Sequence, residues 1–360
     1  MSPVGQTVYL LGAGATKADF PAAPLGDELL HAILVGNHAD QPLQRLLSGM
    51  FEESALDGTA GPERRPRLDD VFTLVDAYLA GRAPSPGGFP HEELVAMRGS
   101  LIAAIGRAIA AALPTPSGPI SDRFADLAMA RTSVIISTNY DIVMDNALYR
   151  GHNFNYGVPV RASIEPAGAR PAGQFRDEDA HHFAPLYMHD FIGYGKTPLL
   201  KLHGSLNWLY CPRCDELDIT PRDKGALFPV DRPEYGRCCR GDCTSRYESV
   251  LVGPSLEQRY EHRILRETWV RAERELRAAE SLVIIGYSLP EADYLIRAML
   301  ARTFGKRSGG VTVVTTRNAG IPRADEQFET RYRRLVPRCS FRWEGFGGYV
   351  DASEVNQPND

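Results

Sequence analysis

Five short apolar runs punctuate the chain: Thr7–Leu11, Ser133–Ser137 ("SVIIS"), Leu199–Leu202, Ser281–Ile285 ("SLVII") and Val311–Thr315 ("VTVVT"). They are largely β-branched and do not alternate with polar residues, the pattern of parallel strands covered on both faces. Amphipathic segments lie between them. Pro24–Val35 places Leu25, Leu29, Leu30 and Ile33 on one face, and Leu68–Leu79 forms a stripe of Leu68, Val71, Phe72, Val75 and Leu79. Glu92–Leu113, Tyr260–Ala279 and Ala292–Phe304 read as further helices. This alternation predicts an α/β fold, a Rossmann-like parallel sheet. The gap between the first two strands is too long for an ordinary crossover and reads as a helical insertion over residues 24–125. "GRAPSPGGFP" and residues 161–183 read as loops, and residues 346–360 as a flexible polar tail.

Chemistry gathers where the strands end. The first run leads into "GAGATKADFP", so Gly12 and Gly14 offer backbone N–H groups to a pyrophosphate at a helix start. Lys17 stands where the third glycine of G-x-G-x-x-G would be, and no acidic residue ends a second strand about twenty positions on. A dinucleotide bound here is therefore not held in the usual dehydrogenase manner. The second run ends in "STNYD". Thr138, Asn139 and Asp141 follow the strand directly, either as a helix cap or as polar groups facing a ligand crevice. The third ends in "KLHGS", with His203 at its tip as a candidate general base or a structural histidine. The fourth runs into "GYSLPEAD": Gly286 and Ser288 line the far side of a dinucleotide pocket on this reading, and Pro290 and Glu291 open the next helix.

Five of the six cysteines crowd into "CPRC" and "CCRGDC". Paired cysteines a hairpin's length apart are the pattern of a structural zinc ribbon, here over residues 211–249. Cys211, Cys214 and Cys243 are ligands on this reading. Cys238 and Cys239 compete for the fourth place, and the shorter spacing to Cys243 favours Cys239. Four sulfurs close a tetrahedral site, so the zinc is structural rather than catalytic. Cys339 stands apart as a lone thiol.

A net charge of −5 gives no strong nucleic-acid signal. No basic n-region precedes the first apolar run, and no stretch reads as a membrane span, so the expected location is cytoplasmic.

The order of the motifs carries a resemblance. Gly-Ala-Gly, Thr-Asn-Tyr-Asp, Leu-His-Gly-Ser, paired cysteines and Ile-Gly-Tyr-Ser-Leu together resemble the sirtuin superfamily from Val8 to about Thr316. "KADFPAAP" and "TNYD" depart from the Gly-Ile-Pro-Asp-Phe-Arg and Gln-Asn-Ile-Asp of the protein deacetylases. "STNYD", "LHGSLNW" and "IGYSLPEAD" resemble the bacterial sirtuin-like NAD hydrolases of anti-phage defence systems. The resemblance implies a sirtuin core over residues 1–23, 126–210 and 250–345, with NAD as a substrate cleaved to nicotinamide and ADP-ribose. It implies Asn139 and His203 as the catalytic pair, with Asp141 orienting Asn139 or the nicotinamide ribose. Gly12, Ala13, Gly14 and Thr16 would touch the phosphates, and Ser288 would lie near the adenosine. An NAD-dependent protein-lysine deacylase and a non-catalytic NAD or ADP-ribose sensor are the alternatives. The resemblance also implies a homo-oligomer and a HerA-type ATPase partner, with contacts through the helical insertion.

Overall fold

The computed structural model describes residues 6–57, 59, 65–82, 88–131, 133–149, 154–160, 162–163, 197–219, 238, 243–257, 260, 262–307, 310–317 and 322–355. Seven parallel strands form the main sheet. In chain order they are β1 (Thr7–Leu11), β2 (Val134–Ser137), β3 (Phe154–Asn155), β5 (Thr197–Lys201), β9 (Ser281–Ile285), β10 (Val311–Val314) and β11 (Ser340–Arg342). Their spatial order is β11-β10-β9-β1-β2-β5-β3. A second, four-stranded sheet has the order β4-β7-β6-β8, from β4 (Ala162–Ser163), β6 (Gly204–Cys211), β7 (Glu216–Ile219) and β8 (Glu248–Leu251).

The pleat explains why the strand sequences are apolar throughout. Val8, Leu10, Val134, Ile136, Leu282 and Ile284 point to one face; Tyr9, Leu11, Ile135, Val283 and Ile285 point to the other. Each face has its own helical cover. On the first lie α9 (Arg263–Ala278), α10 (Tyr294–Phe304) and α11 (Pro322–Arg333), through Leu276, Met299, Phe304 and Tyr332. On the second lie α1 (Ala13–Asp19), α7 (Pro119–Ala130), α8 (Val143–Tyr149) and α12 (Gly345–Val355). Tyr9 meets Phe124 of α7 edge-on, centroids 4.9 Å apart, and Phe124 meets Phe346 of α12 at 5.1 Å.

Helices α2 (Leu29–Val35), α3 (Gln41–Met50), α4 (Glu53–Leu56), α5 (Leu68–Leu79) and α6 (His91–Ala112) enclose a separate core of Ile33, Leu43, Leu47, Phe72, Leu101 and Ile105. The sequence reading sets a helical insertion over residues 24–125, whereas these five helices span residues 29–112. Helix α7 belongs to the sheet layers, and Asp19 marks the seam: its carboxylate accepts from the Ile120 and Ser121 amides at 2.8 Å each, closing the start of α7. Helix α6 is long and apolar enough to cross a membrane, which the sequence reading did not anticipate. Here it is the central helix of the insertion, with Leu94, Met97, Leu101, Ala104, Ile105 and Ala108 buried.

Two further expectations are corrected. Residues 346–355 form most of α12 rather than a flexible tail, because Phe346, Tyr349 and Val350 find an apolar layer to enter. Helix α10 starts at Tyr294, not at Pro290: Asp293 has ψ 44°, outside the helical range, so no helix runs through it. Of the loop read at residues 161–183, residue 161 and residues 164–183 lie outside the described residues.

Strands β1 and β9 pair directly, yet the helices that follow them cover opposite faces. Such a reversal opens a crevice at the carboxyl ends of the strands. Its floor is backbone packed on backbone. A Cβ on Gly12 would stand 2.6 Å from Tyr287 Cα, and one on Gly14 would stand 2.8 Å from Gly286 Cα. Gly286 has φ +61°, and a Cβ there would strike the Ala15 amide. We expect Gly286→Ala to cost at least about 2 kcal/mol, from left-handed strain plus overlap. Gly26→Ala, with nothing within 4 Å of its Cβ, should change stability little. Thermal unfolding of both variants is the check, and a native-like midpoint for Gly286→Ala would exclude this packing.

Candidate functional site

Because the strands are parallel, all four strand-end motifs arrive at the same edge. Gly12–Thr16 come from the end of β1, Thr138–Asp141 from β2, Lys201–His203 from β5 and Gly286–Asp293 from β9.

The glycine turn spends much of its hydrogen bonding on the protein itself. The Gly12 amide donates to Ile285 O at 3.0 Å and the Gly14 amide to Gly286 O at 2.8 Å. These glycines and Gly286 are therefore required by strand-end packing. Ala13 is the first residue of α1, where a backbone N–H has no partner within the helix. The Thr16 hydroxyl is committed as well. It donates to Asp141 Oδ2 at 2.8 Å and accepts from Asn139 Nδ2 at 3.0 Å. Its single proton is thus directed at Asp141. Thr138 bonds back to Leu11 O through both its amide (3.0 Å) and its hydroxyl (3.2 Å). Ser288 is exposed at the crevice rim, its carbonyl accepting from Arg331 Nη1 at 2.7 Å.

Asn139 is fixed by its amide nitrogen, which donates to Gly12 O at 3.1 Å as well as to Thr16. Its Oδ1 is buried without a hydrogen-bond partner among the described residues. Asp141 stands behind it rather than in the crevice: Oδ2 holds Thr16 and Oδ1 accepts from the Val143 amide at 3.1 Å. Burial pushes the Asp141 carboxyl up, against the opposing pull of Lys201. Lys201 is itself buried. It bonds the Asp141 carbonyl and pairs with Asp145 Oδ2 at 3.2 Å, while Tyr156 donates to Asp145 Oδ1 at 2.5 Å. A buried charge keeps its place only when paired and hydrogen-bonded in this way. Lys201, Asp145 and Tyr156 escaped the sequence reading. Only the odd lysine closing an apolar strand hinted at them.

His203 is buried, and its Nδ1 lies 3.2 Å from Thr138 O. A carbonyl can only accept, so Nδ1 carries the hydrogen and, in the neutral ring, Nε2 keeps its lone pair. Among the described residues Nε2 has no hydrogen-bond partner; Asp293 Oδ1 lies 3.5 Å away. The glycine after it marks a close backbone approach. Gly204 has φ +77°, and a Cβ there would collide with Val250 O, so the close approach is to β8 and not to a ligand.

The cysteines meet at the far end of the small sheet, where β6 delivers Cys211. The Sγ atoms of Cys211, Cys214, Cys238 and Cys243 all lie within 4.8 Å of one another. Cys211 and Cys243 are 3.7 Å apart, and Cys214 and Cys238 are 3.8 Å apart. Four thiolates at Zn–S bond length in a tetrahedron stand about 3.8 Å apart, so the site fits a zinc ion. The fourth corner is Cys238, not the Cys239 that spacing favoured, and Cys239 lies outside the described residues. The Cys238 amide donates to Ser245 O at 2.9 Å, which turns that side chain toward the other three.

The fold and site together define a three-layered α/β protein with a crevice built around an asparagine and a histidine, and a four-cysteine sheet module beside it. No protein-family model and no curated protein matches the sequence. Among solved structures the chain is similar to a Sir2 homologue–NAD complex, at 13% identity and TM-score 0.42, over 98% of this chain and 89% of that one. It is similar to a Sir2 homologue variant with 2′-O-acetyl ADP-ribose (12%, TM-score 0.40, 98% and 91%). It is also similar to a Sir2 variant with a p53 peptide and NAD (11%, TM-score 0.38, 97% and 92%).

Three predictions follow from this geometry. Burial pushes the Cys211 and Cys214 thiols up, so the metal-free thiols are neutral at pH 7. Zinc binds them as thiolates, so binding releases protons and affinity falls as pH drops. Calorimetry in buffers of different ionisation enthalpy should detect that release. Cys238→Ser should lose the metal, while Cys239→Ser and Cys339→Ser keep it. Thr16→Val removes the donor to Asp141 and the acceptor for Asn139 together. It should cost about 1–3 kcal/mol in chemical denaturation.

Proposed function

We propose that this chain hydrolyses NAD+ at the nicotinamide–ribose bond, releasing nicotinamide and ADP-ribose. One observation carries the reading: Asn139 Oδ1 and His203 Nε2, both buried and both without a hydrogen-bond partner among the described residues, stand on adjacent strand ends of one crevice. Buried polar atoms of a folded protein are nearly always satisfied, so a pair left open at a strand-end crevice is a pair reserved for a ligand. The motif order that resembles the sirtuin-like NAD hydrolases supports the same reading.

The chemistry suits these groups. Departure of nicotinamide builds oxocarbenium character at the ribose C1′. The leaving group is a cation that becomes neutral as it departs, so no strong acid is needed. Asn139, locked by Thr16 and Gly12 O, presents only an acceptor, suited to a ribose hydroxyl or the attacking water. His203 Nε2 takes the water proton as oxygen bonds to C1′ and the C1′–N electron pair leaves with nicotinamide. Water and NAD+ thus give nicotinamide, ADP-ribose and one proton. Zinc, in the cysteine module, supports the fold and takes no part in these steps. Within the cell the activity would deplete NAD, the role of an anti-phage defence effector. The insertion α2–α6, which contributes none of these groups, is the surface offered to a partner or a second copy.

The test is chromatography of NAD incubated with the purified chain, with and without an acetylated peptide. We expect nicotinamide and ADP-ribose without peptide, and at least a hundredfold less from Asn139→Ala and His203→Ala, both folded. Turnover only with peptide would make the chain a deacylase. Undiminished activity in both variants would remove these residues from the mechanism.

A further inference from the structure

Asp293 occupies the residue before α10, where an aspartate ordinarily caps the helix by accepting from a backbone N–H. Here its side chain makes no cap bond. It turns inward instead and is 4% exposed. Oδ2 accepts from the Tyr287 hydroxyl at 2.5 Å, and Oδ1 lies 3.5 Å from His203 Nε2. Tyr287 is held in turn: its carbonyl accepts from the Tyr332 hydroxyl at 2.6 Å, and its Cα is the atom a side chain on Gly12 would strike. A burial cost has been accepted, and a helix cap forgone, to aim one carboxylate at one imidazole.

We propose that Asp293 is the positioning residue of His203, a carboxylate that receives the Nε2–H bond formed when the imidazole takes the proton of the attacking water. The inference rests on the hydrolase reading for its chemistry. At 3.5 Å the two groups stand just beyond hydrogen-bond length while Nε2 is unprotonated. Protonation turns that nitrogen into a cationic donor facing an anion, and the contact tightens. The proton then passes to solvent as product leaves. Thr138 O on Nδ1 and Asp293 on Nε2 hold the ring from both sides.

The other titratable groups near this carboxylate leave the assignment to it. Tyr140 comes from the loop after β2, Tyr260 from the segment before α9, and Tyr287 from the loop after β9. All three phenols are pushed up, first by burial and then by the charge of Asp293. They remain donors, and none competes with His203 for the proton. Arg98 of α6 acts on Tyr140 in the opposite sense.

The experiment compares the full-length parent with Asp293→Asn, Tyr287→Phe and a His203→Ala/Asp293→Asn double variant. In Asp293→Asn we expect kcat to fall at least tenfold with KM for NAD unchanged within about twofold. Tyr287→Phe should give an intermediate loss, and the double variant should be no worse than His203→Ala alone. A merely structural role would add its loss to that of His203→Ala, and that result overturns the assignment. A second readout needs no turnover. At low pH a ring N–H held against a carboxylate gives a low-field proton resonance, which should be present in the parent and missing from both His203→Ala and Asp293→Asn. Its persistence in Asp293→Asn, or its absence from the parent, refutes the pairing even if NAD is hydrolysed. Its presence in a parent that leaves NAD intact would refute the hydrolase reading and keep the pairing.

Discussion

Gly12, Gly14 and Gly286 meet backbone to backbone at the carboxyl edge of the sheet, with no room for a side chain on any of them. That contact brings the turn after β1 onto the end of β9, while the helices that follow diverge to opposite faces. The crevice exists because of this divergence. Thr16, one turn into α1, is thereby carried to Asn139 and Asp141, and Tyr287 is carried to the wall that faces His203. The glycine pattern has a structural duty in this chain that precedes any role toward a phosphate.

A second layer of constraint lies beneath the site. Lys201 is buried with Asp145 beside it and the Asp141 backbone within reach, and each carboxylate has further donors. Such a group is costly to assemble and more costly to break, since removing one partner strands a charge in the interior. Its effect is to fix the segment that bears Asn139. The side chain amide is then oriented by Thr16, so the free oxygen is the only part of it left for a ligand. Tertiary positioning thus converts a common helix-cap sequence into an acceptor of defined direction.

The helical insertion and the cysteine module are both tied to the strand ends. Leu206, Leu251 and Val143 enter the core of the insertion, and Phe72 packs against Gly253. The cysteine module continues β6, the strand that starts one residue after His203. A disturbance in either unit therefore reaches the histidine through a short, rigid connection.

The sequence by itself determined the strands β1 and β9, helix α5, the parallel sheet, the insertion and the three cysteines Cys211, Cys214 and Cys243. These follow from periodicity and spacing, which are local. It also pointed to Asn139 and His203, because polar residues at the tips of apolar strands have few places to go. Only the tertiary structure decided the rest. Strand β6 is buried along its whole length and carries no alternation to mark it. Helix α12 reads as a polar tail until Phe346 and Tyr349 meet the ring of Phe124 and the sheet behind it. Spacing in the string of letters favours Cys239, whereas the fold brings the Sγ of Cys238 to the other three cysteines. Asp293 carries no mark in the sequence that sets it toward His203; the fold brings the two within 3.5 Å, where Tyr287, six residues before it, also holds the carboxylate. Each of these depends on which surface a residue meets across the fold, and a one-dimensional pattern holds no record of that meeting.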